Sequence, residues 1–467
     1  MSDVLSRLAS RPVAEQQPQD APMRSDGGRE INLACDRPRE PQTVEEMGIP
    51  EAFIEDMILK LLSQQGAMTE HQISWSLKVP KHIVSQFTKD LSKRKLVGPP
   101  PSNPNAFICG SEGKDRAEDA SKTTRYLGPV PVSVDEYVRL MRQQVGRPLQ
   151  FSQKDIEAAY SKIVMYDQDF RERIGPAVRS QRSILLYGAP GNGKTIMGKC
   201  LTSLMKSDLM IPYSIFAHGQ VIKVFDSAFH KPILSDEYKE YDIEKTDDAR
   251  YDMRWNIINV PYVEVATEFT LAGFELSYNE YAKYYEMATH VKANGGVFFI
   301  DDFGRQKGKA EEYLNRLITP LQSREDILQL SATGGQIRVP FYCIPLFSTN
   351  FTLDKIGDEA FLRRFKYKIL ARSPGEKDLE DIFKFECMRS GIDFNKEMYE
   401  YFLDRVKKRD LKLRSCLAND ILSKIIDHCS FHTMKAEMSK ELIDLAFELN
   451  FSEQTETWAF GTKEEKK

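Results

Sequence analysis

The feature that most constrains this chain is Ser183–Met197, which reads SILLYGAPGNGKTIM. Ser183 to Tyr187 is a short apolar run of the kind a buried parallel strand uses. It breaks into Gly188-Ala189-Pro190-Gly191-Asn192-Gly193-Lys194-Thr195 and resumes with helix-compatible residues from Ile196. The spacing G-x-x-x-x-G-K-T builds a loop whose backbone N–H groups converge on an anion, backed by the positive end of a helix. Gly188, Pro190, Gly191, Asn192 and Gly193 form that cradle, Lys194 supplies countercharge to phosphates, and the Thr195 hydroxyl suits a magnesium ion. Strand, loop and helix in this order require an α/β domain that binds a nucleotide.

At 467 residues there is room for about three domains, each with its own core. The 65 basic and 69 acidic residues nearly cancel, so overall charge marks neither a nucleic-acid coat nor a membrane-surface protein. Cys35, Cys109, Cys200, Cys343, Cys387, Cys416 and Cys429 stand singly, which argues against a disulfide framework or zinc site and for a reducing cytosol. With no apolar leader and no run long enough to span a bilayer, the expectation is a cytoplasmic protein without membrane insertion.

Residues 1–45 are rich in Pro, Gln, Asp and Arg and are expected to form a disordered arm. In residues 46–125, three short amphipathic helices precede a hairpin opening at Leu96-Val97 and closing near Phe107-Ile108. That order resembles a winged helix-turn-helix. Residues 54–98 hold seven Lys/Arg against four Asp/Glu, a weak footprint for DNA. A rigid adaptor for protein contacts is the other reading, slightly favoured. Residues 126–150 read as a linker through Gly128-Pro-Val-Pro-Val132, with a helix from Val134 to about Val145. A further helix is expected from Ser152, with Asp155 in its first turn.

Beyond the loop, Ile211–Ser214 and Val221–Phe225 read as strands about a turn at Ala217-His218-Gly219, and the acidic stretch 235–254 as a loop out of the core. Gly295–Asp302, GGVFFIDD, describes a buried strand delivering carboxylates to its C-terminal edge, where α/β sheets bind ligands. Asp301 is the expected magnesium ligand beside Thr195. Asp302 is the expected acid that orients the attacking water. The run Tyr342–Asn350 ends in an amide placed to sense a γ-phosphate, and Arg363 and Arg364 follow in LRRF, where an arginine can reach a neighbouring subunit's nucleotide.

These four motifs, in this order and spacing across roughly 150–450, resemble an AAA+ ATPase. The resemblance implies a parallel five-stranded α/β core over residues 151–372, a C-terminal helical lid over 373–451 and a tail, 452–467. It also implies ATP and magnesium as cofactors and a self-assembled, usually hexameric ring with ATP between subunits. Ile163 and Val164 fall where such ATPases place residues against adenine. Two departures stand out: Asp302 replaces the usual glutamate, and the lid arginine is either Arg414 or replaced by Asn419. More narrowly, Lys292–Gln306 and Ile211-Pro-Tyr resemble bacterial chaperone-like ATPases described as associated with Flp pilus assembly. Phe269–Met287, with Tyr278, Tyr281, Tyr284 and Tyr285, resembles a pore loop that grips polypeptide, although packing on a helix face is the commoner use of such tyrosines. Leu328–Val339 resembles a second inserted hairpin. The expected function is ATP-driven remodelling of a protein client. The alternatives are a DNA-binding ATPase acting through residues 46–125, and a nucleotide-switched scaffold with slow hydrolysis.

Overall fold

The computed structural model describes residues 31–101, 103–161, 163–164, 167–233 and 251–451. The beginning of the expected arm (1–30), most of the acidic stretch (235–250) and the tail 452–467 lie outside the described residues.

The apolar runs fold as five parallel strands: β1 (Ile184–Tyr187), β2 (Tyr262–Val265), β3 (Val297–Ile300), β4 (Ile344–Thr349) and β5 (Tyr367–Leu370). Their order across the sheet is β2-β3-β4-β1-β5. The runs are continuous because both faces are covered. Ile184, Leu186, Val297, Phe299, Ile344 and Leu346 point into a cluster with Phe170, Ile174 and Leu201. Leu185, Phe298, Ile300 and Phe347 point the other way, onto Phe274, Tyr313 and Leu317. β1, β3 and β4 thereby end at one edge, where the loop Gly188–Gly193, Asp301-Asp302 and Asn350 emerge.

A second β module packs beside this sheet. Val132–Ser133, Ser214–Ala217, Gln220–Lys223, Tyr284–Glu286 and Ser277–Asn279 form a mixed five-stranded sheet. Leu209–Pro212 pairs with Trp255–Ile258, and Glu325–Leu330 with Gly335–Pro340 as the expected hairpin. All share one core around Tyr137, Trp255, Tyr285, Leu328 and Ile337.

In the N-terminal part, helices Glu51–Gln65, Glu70–Leu77 and Lys81–Lys93 surround a small antiparallel sheet of Met68–Thr69, Ala106–Cys109 and Val97–Gly98. Thr69 and Gln72 form a reciprocal cap at the second of these helices. The C-terminal part is a four-helix bundle, Glu376–Ser390, Lys396–Lys408, Cys416–Phe431 and Lys440–Asn450, with its own core.

Three expectations are corrected. Residues 31–45 are not free chain. Leu33 bridges to Asp208, Arg39 bridges to Tyr251, and the Asp252 N–H donates to the Pro38 carbonyl at 2.9 Å. Backbone pairing to strand edges holds this segment, and composition does not reveal such pairing. Residues 126–150 are not a spacer. Val132–Ser133 pairs with Ser214–Ala217, and helix Val134–Val145 buries Tyr137, Leu140 and Met141. Of the four tyrosines of 269–287 expected in a gripping loop, three are taken up by packing. Tyr285 is fully buried, Tyr278 packs on it at 4.8 Å, and Tyr284 meets Tyr126 edge-on at 5.7 Å. Tyr281 alone of the four is exposed, at the tip, beneath the Arg125 guanidinium.

Candidate functional site

The loop after β1 is set by close approaches that exclude side chains. Gly188 has φ +146°, and a Cβ there would stand 2.4 Å from the Ala371 carbonyl oxygen at the end of β5. Gly191 has φ +80°, and its Cβ would meet Cys416 Sγ at 2.6 Å. The C-terminal bundle is therefore seated on the loop, with the Cys416 N–H donating to the Gly191 carbonyl at 2.9 Å. Asn192 ties the loop to the approach to the bundle, its Nδ2 donating to Ala371 O (3.2 Å) and Ser373 Oγ (3.1 Å).

Lys194 opens helix Lys194–Cys200, and its side chain turns back under the loop. Its Nζ donates to the carbonyls of Gly188 and Ala189, each at 3.0 Å, and to Asn350 Oδ1 at 2.7 Å. Burial pushes the Lys194 ammonium below its ordinary pKa, opposed by the charges of Asp301 and Asp302. Asn350 Nδ2 in turn donates to Asp302 Oδ1 at 2.6 Å. Thr195 Oγ1 donates to Asp301 Oδ2 at 2.6 Å. The other Asp301 oxygen accepts from Ser348 Oγ and from the Asp302 N–H. Asp302 sits at φ +48°, a left-handed conformation uncommon outside glycine, which turns its carboxylate towards Asn350. Residues read from three separate sequence segments thus meet at one sheet edge, linked by hydrogen bonds.

Ser348 and Gln306 were not among the expected residues. Ser348 is fully buried, and Gln306 Nε2 donates to the Asp301 carbonyl at 3.0 Å, fixing the turn after β3. Their signal was present: Ser348 lies two residues before Asn350, and Gln306 in the run that follows Asp302.

Not every expected residue reaches the loop. Arg363 is exposed and pairs with Glu359 at 2.8 Å. The Arg364 carbonyl accepts from Ser183 Oγ at 2.8 Å, so this residue stands at the edge where β1 begins, opposite the loop within one copy. Ile163 is half-buried against the cluster that holds Met197, whereas Val164 packs against the C-terminal bundle. Of the two lid alternatives, Arg414 comes to the loop, its Cδ lying 3.5 Å from a Cβ built on Gly191. Asn419 is exposed and accepts from Arg389 Nη2 at 2.9 Å instead.

The donors facing Thr195 and Asp301 are oxygens, the set a hard divalent cation prefers. Among the described residues no group of three His, Cys, Asp or Glu side chains is placed to hold a metal by itself. A cation here would share its coordination with water and a phosphate ligand. A Cβ on Gly193 would meet nothing within 4 Å, so the loop is open beside the helix start.

Residues 375–449, the C-terminal bundle, match a family described as Domain of unknown function (DUF8689). No curated protein matches the sequence. Among solved structures, the chain is similar to NtrX from Brucella abortus in complex with ATP, at 14% identity and a TM-score of 0.37, over 60% of this chain and 56% of that one. It is also similar to the RuvB Holliday junction branch migration motor from Thermotoga maritima, at 12% identity and a TM-score of 0.33, over 66% of this chain and 73% of that one. At such values the alignments carry no functional weight. Among the described residues no helix is long and apolar enough to cross a membrane.

Proposed function

We propose that the chain is an AAA+-type ATPase that hydrolyses ATP between subunits of a ring. The observation that carries this is the linked set at the C-terminal edge of the parallel sheet, Lys194–Asn350–Asp302 beside Thr195–Asp301. Lys194 neutralises phosphate oxygens on the loop. Thr195 and Asp301 would hold a magnesium ion, which would offset phosphate charge. Asn350 positions the reacting end, and Asp302 accepts the proton of the attacking water. Arg414 reaches the same loop from the helical lid, so lid and loop respond together to a nucleotide. Arg364, with Arg363, serves a neighbouring copy, since it lies at the opposite edge within its own.

We assign the N-terminal helices to a winged-helix adaptor, and the ring to remodelling of a protein client. Phe53 packs on Phe216 at 4.7 Å, fastening this part to the second sheet. His82, at the start of the helix that would read DNA, has Nε2 3.1 Å from the Gln42 carbonyl, and Glu40 and Glu70 line the cavity beside it. Lys78 and Lys81 line the same cavity, and these carboxylates offset them where a phosphate backbone would lie. Steady-state ATP turnover of the full chain tests the reading. Lys194→Ala is expected to abolish ATP binding, and Arg364→Ala to leave binding but suppress turnover. Equal loss of binding in both contradicts the role across subunits. Stimulation of turnover by duplex DNA contradicts the adaptor.

A further inference from the structure

The C-terminal bundle carries a pair of imidazoles that the site at the sheet edge does not use. His428 and His432 stand one turn apart at the end of helix Cys416–Phe431, with ring centroids 4.5 Å apart and planes inclined at 51°. Of the seven histidines in the chain, these are the two spaced i, i+4 along one helix. His82, His218, His230 and His290 each have a ring nitrogen against a backbone or carboxylate oxygen. Among the described residues the rings of His428 and His432 have no such partner and meet only aromatic neighbours.

The backbone beneath both rings is fixed. The His432 N–H donates to the His428 carbonyl at 3.1 Å, Thr433 turns left-handed at φ +57°, and the Met434 N–H closes onto the Cys429 carbonyl at 2.8 Å. This closure ends the helix, and the negative pole of its dipole at that tip favours a cation. Imidazole nitrogens are the donors that a borderline divalent metal prefers. Two imidazoles on one tetrahedral zinc, each nitrogen about 2.0–2.1 Å from the metal, have centroids roughly 5 Å apart, so a small side-chain rotation admits the ion.

One copy supplies half of a tetrahedral set. Among the described residues no group of three His, Cys, Asp or Glu is placed to hold a metal, so a third ligand does not come from the same copy. Phe431 meets His432 edge-on at 5.0 Å and is 83% exposed, and Met434 on the same tip is 55% exposed. A copy related by a twofold axis would present the same two imidazoles and the same apolar side chains, completing the ligand set and covering Phe431 and Met434.

We infer that this tip is a zinc site shared between two copies, with His428 and His432 supplied by each. The nitrogen donors select zinc over magnesium or calcium, which take oxygen. The site is independent of the ATPase reading above.

The test titrates zinc chloride into the full-length chain at neutral pH, with calorimetry reading stoichiometry and sedimentation reading mass. One zinc per two chains is expected, together with a doubling in mass of the zinc-free species that a chelator reverses. Magnesium chloride is expected to produce neither. His432→Gln lies at an exposed helix end, which spares folding, and is expected to weaken zinc binding at least about tenfold and abolish the doubling. His428→Gln is expected to repeat that loss from the other ligand. Zinc affinity unchanged in both variants, or zinc uptake by the parent chain with its mass unchanged, overturns the shared site. Neither readout uses nucleotide, so the outcome stands whether or not the chain hydrolyses ATP.

Discussion

Gly191→Ala tests whether the C-terminal bundle is seated on the phosphate loop. An L-residue at φ +80° costs about 1–2 kcal/mol in backbone strain. The new methyl would also stand 2.6 Å from Cys416 Sγ, well inside van der Waals contact. Overpacking of this kind adds about 1–3 kcal/mol, for a total of about 2–5 kcal/mol. Cys416→Ala removes the sulfur and leaves the Cys416 Cβ position, 3.5 Å from the new methyl, in ordinary contact. In the double variant the steric part therefore vanishes and the backbone part stays. A double-mutant cycle by urea denaturation, followed at the bundle, is expected to return a favourable coupling of about 1–3 kcal/mol. Hydrogen exchange at the Cys416 amide, which donates to the Gly191 carbonyl, is expected to accelerate in Gly191→Ala and recover in the double variant. Additivity within about 0.5 kcal/mol, the behaviour of sites that do not touch, would refute the seating.

Arg254 is buried, bonds both oxygens of buried Asp252, and donates from Nη1 to the carbonyls of Met47 (2.8 Å) and Pro131 (3.1 Å). Arg254→Met strands that carboxylate and is expected to lower stability by about 3–5 kcal/mol in urea, a loss under about 1 kcal/mol counting against the ion pair. Lys60 is buried, donates to the Thr124 and Tyr126 carbonyls, and has its pKa pushed down to about 8 by burial. Between about pH 8 and 10.5 the folded chain has released this proton while the unfolded chain keeps it, so stability rises with pH. The rise is about 3 kcal/mol from this group, read as the difference between native and Lys60→Met chains, and parallel pH curves would exclude it. Tyr285→Ala is expected to cost about 3–5 kcal/mol of stability and Tyr281→Ala less than about 1 kcal/mol, thermal unfolding of the two distinguishing a core tyrosine from a tip tyrosine.

The central sheet was legible because its strands are buried on both faces, and so the runs ILLY and VFFI stay apolar without interruption. The residues that meet at the sheet edge were legible because the G-x-x-x-x-G-K-T spacing is specific and the apolar strand that follows it ends in two carboxylates. The second β module obeys neither rule. The strands of its five-stranded sheet are two to four residues long, and several pair across distance, Val132 with Ile215 and Tyr285 with Ile222. No local window holds that information. Leu276 and Tyr278 do alternate into this core beside the strand Ser277–Asn279, a period that the tyrosine-rich composition of the stretch obscured. The choice between Arg414 and Asn419 depended on which of the two approaches Gly191, a tertiary fact.

The second module also bears on how the site is positioned. β3 follows closely on His290, and β4 on Phe341, and both are anchored where they leave this module. Asn294 Nδ2 donates to the Pro340 carbonyl at 2.7 Å, and its Oδ1 accepts from the Tyr342 N–H at 2.8 Å. A Cβ on Gly296 would stand 1.9 Å from the Pro261 carbonyl oxygen, so β2 and β3 enter the sheet in contact. Deeper in, His290 Nε2 lies 2.6 Å from Asp326 Oδ2, and Arg316 bridges Asp326 to Glu275. Burial pushes His290 below its ordinary pKa, so at neutral pH the imidazole donates to the carboxylate without carrying charge. Asp326, which burial alone would push up, is held below its ordinary range by hydrogen bonds from His290 and Arg316. The strands that deliver Asp301, Asp302 and Asn350 therefore start from a cross-linked frame, and the N-terminal helices bear on that frame through Phe53 and Phe216. Register along β3 and β4 is what brings Asn350 Nδ2 to within 2.6 Å of Asp302 Oδ1.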